Sequence, residues 1–458
     1  MKTVVRDLGV APTALRRLAA RLPARYPMLL DSAADGPLSR SSVLLAEPRA
    51  ALWLDADGTL GAEGTVIQGN TFFAALQNWW LAERLPPTDT DAALPFEGGW
   101  AVFLSYEMAQ EVEPRLSLPP SRLPWRAFAL RTPCALVHDR VRQRVMAVAE
   151  AGAGAQDCLD RLEADARRAV LEPDADGGFR VKAITEEAPE FHLERVRRGK
   201  EYIRAGDIYQ TNLSRAWNVE LESDPDVAAL YNRLCTTNPA PFAALTQWRG
   251  ATVVSSSPER LIRVEGRRVD TRPIAGTRPR SRRPGDDVVE MAALAAHPKE
   301  RAEHIMLIDL ERNDLGRVCV AGTVRVDELM TIESYAHVHH IVSNVTGVLR
   351  EEVTPIEALR AVFPGGTITG VPKFRCMQII AELEGSGRGA YTGSLGYLNR
   401  NGTMDLNILI RTATLMGSRI ELRAGGGIVA DSDPQRELAE TRAKARGLLA
   451  AFEVARES

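Results

Sequence analysis

Residues 363–373 of this 458-residue chain read Phe-Pro-Gly-Gly-Thr-Ile-Thr-Gly-Val-Pro-Lys. Three glycines and two prolines in so short a segment predict a tight connection between secondary-structure elements. The same composition also suits a loop that turns backbone N–H groups and the hydroxyls of Thr367 and Thr369 toward an anionic ligand. Lys373 does not stand in the GxxxxGK(S/T) frame, so the segment is not a nucleotide phosphate loop.

A second glycine-rich segment runs from Ala424 to Val429 and follows the strand-like residues 420–423. We expect Gly425, Gly426 and Gly427 to come after this strand, where the missing side chains allow the backbone to approach a carboxylate closely. No GxGxxG fingerprint opens a βα unit, which argues against a dinucleotide site.

Two pairs of glutamates have the spacing that places side chains on one face of a helix. Glu300 and Glu303 lie three residues apart, as do Glu437 and Glu440, and Lys444 lies one turn beyond Glu440. Each pair alone is typical of a solvated helix face. Together they would supply the carboxylate oxygens that Mg²⁺ prefers, and the spacing leaves both interpretations open.

Three histidines lie close together at positions 337, 339 and 340. On a strand, His337 and His339 would point one way and His340 the other. No fourth ligand has the spacing of a zinc site. The pattern therefore favours packing or a single general acid or base.

Composition excludes several classes of protein. The formal net charge of -3 gives no basic excess for nucleic-acid binding, and no apolar run reaches the roughly 18 residues of a membrane span. The N-terminus lacks the apolar core of an export signal. The five cysteines are scattered without CxxC spacing, which predicts free, mostly buried thiols in the cytoplasm and no thiolate metal site.

The chain divides into an N-terminal region, residues 1–165, and a second region, residues 185–455, that holds the motifs described above. Residues 151–180 predict a helix followed by an exposed linker. Further helices are predicted at 190–205, 298–312 and 434–453, the last one capped by Asp433 ahead of Pro434.

Several ordered motifs carry a family likeness. They are Asp207-Ile208-Tyr209-Gln210-Thr211-Asn212-Leu213, Ser257-Pro258-Glu259-Arg260, Pro273-Ile274-Ala275-Gly276-Thr277-Arg278, Asp309-Leu310-Glu311-Arg312-Asn313-Asp314, the glycine-rich segment 363–373, and Ala424-Gly425-Gly426-Gly427. Over about residues 190–450 they resemble the chorismate-binding enzyme family, which includes anthranilate synthase component I, aminodeoxychorismate synthase component I, and the isochorismate and salicylate synthases.

The resemblance implies an α/β fold of the α+β kind, in which large antiparallel sheets pack in a sandwich with helices outside, as in anthranilate synthase component I. It makes residues 185–455 the chorismate-binding catalytic region and residues 1–165 the N-terminal region of the component I type. Mg²⁺ is the implied cofactor. The implied metal-binding residues are Glu303 and Glu440, with Glu300 and Glu437 close by.

The other site residues also follow from the resemblance. Tyr391, Arg411 and the backbone of Gly425, Gly426 and Gly427 would bind the enolpyruvyl carboxylate of chorismate, and Lys444 the ring carboxylate. The implied catalytic residues are Glu259 as general acid, His340 as acid or base, Thr277, and the position of Ala275. Thr367 and Thr369 are the implied substrate contacts of the 363–373 segment.

Two branches of the family compete for this chain. Aminodeoxychorismate synthases of folate (4-aminobenzoate) synthesis have a nucleophilic lysine in Pro-Ile-Lys-Gly-Thr, whereas anthranilate synthases of tryptophan synthesis have Pro-Ile-Ala-Gly-Thr, as here with Ala275. Residues 207–213, 338–340 and 363–370 resemble the folate branch instead. Three extended matches outweigh one residue, so we predict the folate branch, with anthranilate formation as the alternative. Without the lysine, Lys182 and Lys200 are nucleophile candidates by elimination only.

The resemblance also implies partners. The chain has no Gly-x-Cys-x-Gly nucleophile turn, so ammonia would come from a separate glutamine amidotransferase subunit. Leu29-Leu30-Asp31-Ser32 resembles the element that binds tryptophan in anthranilate synthases. We interpret it as a packed strand or a structural tryptophan site, with a regulatory site left open.

Overall fold

The computed structural model describes residues 3–86, 94–172, 178–280, 284–296, 298–335 and 338–452. The strands are β1 Val4–Asp7, β2 Met28–Asp31, β3 Ser41–Ala46, β4 Ala50–Asp55, β5 Leu60–Glu63, β6 Gly99–Leu104, β7 Trp125–Thr132, β8 Cys134–Asp139, β9 Arg144–Ala149, β10 Val181–Glu186, β11 Gln210–Leu221, β12 Phe242–Trp248, β13 Ala251–Ser257, β14 Arg260–Glu265, β15 Arg268–Arg272, β16 Ile274–Pro279, β17 Arg325–Ser334, β18 Val338–Val348, β19 Gly370–Val371, β20 Ser394–Asn399, β21 Met404–Asn407, β22 Thr412–Met416 and β23 Arg419–Ile428. The helices are α1 Thr13–Arg21, α2 Phe72–Glu83, α3 Ala109–Val112, α4 Ala155–Leu171, α5 Pro189–Arg204, α6 Val227–Thr237, α7 Pro284–Ala296, α8 Pro298–Gly316, α9 Pro355–Val362, α10 Lys373–Glu384 and α11 Pro434–Leu449.

These strands form two large antiparallel sheets. One has 12 strands in the order β1-β9-β8-β3-β2-β12-β13-β22-β23-β11-β10, with β19 added beside β11. The other has 11 strands in the order β16-β18-β15-β14-β21-β20-β6-β7-β4-β5, with β17 added beside β18. The predicted fold class is therefore confirmed.

The burial pattern of single strands shows that the sheets pack face to face. Along β8, Cys134 and Leu136 join an apolar cluster with α1 and α4, whereas Ala135 and Val137 join a cluster with Phe128 of the opposite sheet. Both faces of such a strand are buried, because successive side chains point to opposite sides of a sheet. Helices cover the outer faces of both sheets, and the result is a sandwich with outer helices.

Strands of the N-terminal and C-terminal regions share both sheets. β2 pairs with β12, so that Leu29 lies opposite Leu245, and β6 pairs with β20, so that Phe103 lies opposite Leu395. The predicted boundary between residues 165 and 185 begins within α4 and ends within β10, and the division stays a prediction about the sequence.

Three predicted helices are present with shifted ends. Helices α5, α8 and α11 correspond to the predictions at 190–205, 298–312 and 434–453, and α8 continues to Gly316. The side chain of Asp433 accepts a hydrogen bond from the Arg436 N–H at 3.0 Å, and Pro434 occupies the first turn of α11, as predicted. Helix α4 is the helix predicted within 151–180, whereas residues 173–177 of the predicted linker lie outside the described residues.

The prediction for the second glycine segment was wrong in one respect. Gly425, Gly426 and Gly427 lie within β23 rather than after a strand, and they pair with Ser214, Leu213 and Asn212 of β11. The β11 strand supplies the hydrogen bonds that hold the three glycines extended, although glycine alone disfavours a strand.

No helix in the described ranges is long and apolar enough to cross a membrane. All five cysteines are free and buried, as predicted.

A buried ion cluster joins α10 to the sheet beside the glycines. The Glu384 carboxylate binds the Arg388 guanidinium at 2.7 Å and the Arg423 guanidinium at 3.1 Å, and it accepts a hydrogen bond from the Ser214 N–H at 2.8 Å. Burial would raise the pKa of Glu384, but the two arginine charges hold it at about 2. The carboxylate therefore stays ionised inside the protein.

We predict that Glu384→Ala lowers the free energy of unfolding by about 3–5 kcal/mol, because it leaves two buried guanidinium groups without their counter-charge. Urea unfolding followed by circular dichroism measures the change. Glu382→Ala is the matched control on the same helix, since this glutamate is 43% exposed, and it should cost less than about 1 kcal/mol. Equal losses in the two variants would contradict the assigned role of the cluster.

Candidate functional site

The 363–373 segment is the tight connection that the sequence predicted. Helix α9 ends at Val362, a 3₁₀ turn covers Gly366–Ile368, and β19 then pairs with β11 before α10 begins at Lys373. The 3₁₀ turn contacts both α8 and β23. The segment therefore connects the helix that bears Glu300 and Glu303 with the strand that bears the three glycines.

Glu259 occupies the turn between β13 and β14 and is 4% exposed. Its backbone carbonyl accepts a hydrogen bond from Ile408 N–H at 3.0 Å, which ties the turn to the start of the β21–β22 connection. Burial raises the pKa of the Glu259 carboxyl to about 7, against the opposing effects of the Thr367 hydroxyl and the Ile274 backbone beside it. At neutral pH a large fraction of this carboxyl keeps its proton, which a general acid requires.

His339 and His340 point to opposite faces of β18, as the alternation predicted. The His339 ring is hydrogen-bonded to the Ser334 hydroxyl at 2.7 Å and to the Asp287 carboxylate at 2.9 Å, so its role is in packing. Burial lowers the pKa of His340 to about 3, with the nearby Arg411 charge acting in the same direction. His340 is therefore a neutral imidazole at physiological pH. His337 lies outside the described residues.

Arg411 has the geometry of an anion-binding residue. Its backbone adopts a left-handed conformation with φ of 50°, just before β22, and burial lowers the pKa of its guanidinium while the Glu259 charge acts in the opposite direction. Within the part of the chain that the structure describes, its guanidinium forms no hydrogen bond or ion pair. A guanidinium left in this state in a cleft is suited to bind a carboxylate.

Tyr391 lies against the glycine strand. Its hydroxyl oxygen is 2.8 Å from the position that a Cβ atom on Gly425 would take, so a side chain there would collide with it. The Arg388 guanidinium packs against the Tyr391 ring, 5.6 Å from the ring centre. The glycines thus keep the backbone of β23 open beside Tyr391.

Lys444 closes one end of this strand. Its ammonium group donates to the Gly425 carbonyl at 3.0 Å and pairs with the Glu440 carboxylate at 2.7 Å. The carboxylates of Glu437 and Glu440 each lie 3.4 Å from the position of a Cβ on Gly426. Because Gly426 has no side chain, both carboxylates fit against the strand at this position.

The other glutamate pair lies on α8. The Glu300 carboxylate is 2.9 Å from the position of a Cβ on Gly276 in β16, and Glu303 is half-buried one turn along. No group of three or more histidine, cysteine or acidic side chains in the described ranges is arranged to hold a metal ion. The Glu437 and Glu440 carboxylates, which converge on Gly426, nevertheless fit Mg²⁺, which takes few protein ligands and completes its shell with water and substrate oxygens.

Some of the candidate residues lie elsewhere or are used within the fold. Lys182 is paired with Glu220 on the edge strand β10, and Lys200 donates to the Ser432 carbonyl, whereas Ala275 lies in the other sheet opposite Ile341. The Thr369 hydroxyl donates to the Gly365 carbonyl at 2.9 Å and so holds the turn. Thr277 pairs with His340 in the β16–β18 register, and its side chain is outside the described set.

The tryptophan-like element is a packed strand in part. Residues 28–31 form β2, and Asp31 is bound by the Arg16 guanidinium at 2.7 Å and by the Ser42 hydroxyl at 2.8 Å. A cavity of about 90 Å³ lies beside Leu30 and Ser32. Tryptophan binding stays a prediction.

The sequence analysis missed the charged groups that pack against the candidate site residues. Arg388 and Arg423 on Glu384 are buried, as is Asp314, whereas its partner Lys373 is partly exposed. The spacing of Glu384 and Arg388, four residues apart on the sequence, was the one available signal. Arg423 and Lys373 meet their partners only through the fold.

The structure defines the class of protein as an α+β sandwich of two antiparallel sheets, with Tyr391, Lys444 and the Glu437–Glu440 pair beside a strand of three glycines. The family described as chorismate binding enzyme matches residues 29–450. The chain belongs to this family and is an enzyme.

Individual relatives support this family assignment. Anthranilate synthase component 1 of Thermus thermophilus is 39% identical over 99% of this chain and 97% of that protein. Aminodeoxychorismate synthase component 1 of Escherichia coli is 37% identical over 94% of this chain and 93% of that protein. The crystal structure of anthranilate synthase component I from Streptococcus pneumoniae superimposes with a TM-score of 0.78 and 30% identity, over 89% of this chain and 92% of that one.

Glu259 makes the stability of the protein depend on pH. Its folded-state pKa of about 7 lies above the ordinary value of 4.5, so the folded state binds more protons than the unfolded state between these values. Stability is therefore lost as pH rises through about 7. We predict that Glu259→Gln removes this loss, which amounts to at most about 3 kcal/mol.

Thermal unfolding at pH 5.5 and 8.5 checks this prediction. The difference in melting temperature between the two pH values should be smaller in Glu259→Gln than in the wild type. Glu352→Gln, a control at a glutamate that is 71% exposed, should behave as the wild type. An unchanged pH dependence in Glu259→Gln would show that this carboxyl is ionised in the folded protein.

Proposed function

We propose that this chain is aminodeoxychorismate synthase component I, which converts chorismate and ammonia to 4-amino-4-deoxychorismate, with ammonia supplied by a separate glutamine amidotransferase subunit. The observation that carries the proposal is the Arg411 guanidinium, which pairs with no described residue and lies within electrostatic range of Glu259 and His340. A dicarboxylate substrate needs such a cation beside an acid–base pair.

The choice of the folate branch rests on where its motifs lie. The 363–370 motif, which resembles that branch, places Thr367 beside the Glu259 carboxyl, and the 338–340 motif supplies His340. The E. coli aminodeoxychorismate synthase aligns over nearly the whole length of both chains. These observations favour an enzyme that replaces the C4 hydroxyl of chorismate.

A second candidate is anthranilate synthase component I. Ala275 favours it, because a methyl group there cannot attack the substrate as the lysine of the folate enzymes does. The Thermus anthranilate synthase supports it with a similar identity over its full length. In that case the nitrogen would stay at C2 and pyruvate would be eliminated.

The first chemical steps are common to both candidates. Arg411 and the backbone of Gly425–Gly427 would bind the enolpyruvyl carboxylate, with the Tyr391 hydroxyl beside them, and Lys444 would contact the ring carboxylate. Glu259 would donate its proton to the C4 oxygen, so that the C–O bond breaks and water leaves. His340 is a neutral imidazole whose lowered pKa makes it a weak base, and we propose it as the proton acceptor once the negative charges of bound chorismate raise that pKa.

Ala275 makes ammonia itself the nucleophile at C2. Lys182 and Lys200 are each engaged away from Ala275, and Lys444 is paired with Glu440. We propose that nitrogen first adds at C2 as the C4 hydroxyl departs. The folate product then requires a transfer of nitrogen to C4, for which no residue of the site is assigned.

Mg²⁺ is the proposed cofactor, held by Glu303 and Glu440 with Glu300 and Glu437 close by. When bound, it would supply a positive charge that neutralises the ring carboxylate and polarises the departing hydroxyl. Lys444 would keep the Glu440 carboxylate oriented through their ion pair.

A product assay tests the proposal. The purified chain is incubated with chorismate, Mg²⁺ and an ammonium salt, and products are separated by chromatography with mass detection. We expect aminodeoxychorismate, which an added lyase converts to 4-aminobenzoate. Fluorescent anthranilate together with pyruvate would instead establish the second candidate, and consumption of chorismate to neither product would refute both.

We predict that Arg411→Ala raises KM for chorismate at least tenfold, because a charged hydrogen bond to a carboxylate contributes about 1.5–3 kcal/mol. Arg411→Lys keeps the charge but loses the bidentate geometry, so it should fall between the wild type and Arg411→Ala. Steady-state kinetics at saturating Mg²⁺ provide both values. An unchanged KM in Arg411→Ala would exclude a carboxylate-binding role.

We predict that Glu303→Gln and Glu440→Gln each raise the Mg²⁺ concentration needed for half-maximal activity by at least tenfold, since each removes one negative charge from the metal site. Titration of activity with MgCl₂, with melting temperatures as a folding check, measures this. Glu201→Gln, on an exposed position of α5, is the control. Wild-type turnover at limiting Mg²⁺ would overturn the metal assignment.

A further inference from the structure

Two buried acids on α8 are not used by the proposed mechanism. Glu311 is 4% exposed and Asp314 is 3% exposed, and both lie about two turns or more beyond Glu303 on the same helix. Buried carboxyls are costly to keep unless they pair or hold a proton. Asp314 and its partner line a surface cavity, and the turn against which Glu311 packs also contacts Glu259.

The outer end of this group faces solvent. The Lys373 ammonium pairs with the Asp314 carboxylate and donates to the Val362 carbonyl at 3.1 Å. Both side chains line a cavity of about 640 Å³, which also borders Asn313, Arg317 and Tyr209. Tyr209 is 72% exposed, so this cavity opens to the surface.

The inner end lies against the 3₁₀ turn. One Glu311 carboxylate oxygen is 3.2 Å from the position of a Cβ on Gly366, and the next residue, Thr367, lies beside the Glu259 carboxyl. Thr271 also lies beside Glu311. Two consecutive residues of one turn therefore separate the two buried carboxyl groups.

The polar atoms around the two carboxyls have spare hydrogen-bonding capacity. Among the described residues, the Thr367 hydroxyl and the Glu259 carboxyl are buried next to each other, and neither this hydroxyl nor one of the carboxyl oxygens has a hydrogen bond of full geometric quality. The Thr271 hydroxyl beside Glu311 is in the same state. Buried polar atoms are nearly always satisfied by protein, water or ligand. The Thr367 hydroxyl, which lies in the turn between the two acids, is the kind of group through which a proton passes, directly or with water.

We propose that Glu311 is a proton relay that recharges Glu259 from the solvent-facing cavity through the Asp314–Lys373 pair. The proposal rests on the proposed function, in which Glu259 loses its proton in every turnover. Glu311 does not touch the substrate, so it is a positioning and relay residue rather than a catalytic one.

The proton balance closes over one cycle. Glu259 gives its proton to the C4 oxygen as the C–O bond breaks, and water leaves. The added ammonia forms its C–N bond and releases one proton to solvent. The Glu311 carboxyl then passes its proton to the Glu259 carboxylate, and an acid in solvent restores the proton of Glu311 at the cavity.

The electrostatics support this order. Burial raises the pKa of Glu311 well above its usual range; Asp314 and Glu259 add to the rise, whereas Lys373 opposes it. Burial likewise raises the pKa of Glu259, with Lys444 and Arg411 opposing. Both groups therefore hold protons near neutral pH, and transfer between them involves no large change in affinity.

The test separates the first turnover from later ones. In Glu311→Gln, enzyme equilibrated at pH 6 carries a proton on Glu259 before mixing, so rapid mixing with chorismate, Mg²⁺ and ammonium should give one product per site at the wild-type rate. Steady-state turnover should then fall at least tenfold, with KM for chorismate unchanged. Glu311→Asp, which keeps a titratable group, should recover much of the lost turnover.

Asp309→Asn is the matched control, because Asp309 lies on the same helix with its side chain 63% exposed, and it should show wild-type kinetics. Asp314→Asn combined with Lys373→Met should slow steady-state turnover in the same way from the outer end. Melting temperatures establish that each variant is folded. If Glu311→Gln does not fold, the double variant alone decides the outcome by the same two rates.

Each outcome is decisive. Equal steady-state rates in Glu311→Gln and wild type would overturn the relay, and so would a first turnover slowed as much as the later ones, since that would show a structural role. Failure of the proposed function is distinct, because wild-type enzyme would then produce neither aminodeoxychorismate nor anthranilate.

Discussion

The site depends on the pairing of β23 with β11 across three glycines. A strand inside a large sheet normally carries side chains on both faces, but Gly425, Gly426 and Gly427 leave the backbone bare over three consecutive positions. Ten paired residues along β11 hold this stretch extended despite its low strand propensity. Tyr391, Lys444 and the Glu437–Glu440 pair all approach the strand where the side chains are missing.

The glycine strand is supported from behind by the buried Glu384 carboxylate. Glu384 binds Ser214, the residue opposite Gly425, and it also binds the arginines of β23 and of the segment before Tyr391. One ionised carboxylate thereby fixes the position of both the strand and the tyrosine. Such a cluster fixes the relative positions of its members, because each guanidinium makes a directed hydrogen bond to the carboxylate.

The low-dielectric interior sets the protonation states on the other side of the cleft. Glu259 and His340 are both buried, and burial disfavours the charged form of each. The result is a carboxyl that keeps a proton which it would lose in water at neutral pH, and an imidazole that stays neutral at acidic pH values where it would gain a proton in water. A proton donor and an uncharged imidazole are thus both present near neutral pH.

The sequence alone predicted the features that depend on local periodicity or on an ordered pattern. These are the helical spacing of Glu300 with Glu303 and of Glu437 with Glu440, the cap at Asp433, the strand alternation of His339 and His340, and the family motifs. The sequence did not predict the position of the three glycines inside β23, the shared sheets of the two regions, the ion cluster at Glu384 or the approach of Glu311 toward Glu259. Those features bring together residues up to several hundred positions apart, and only tertiary packing decides which buried charges meet and which lose contact with water.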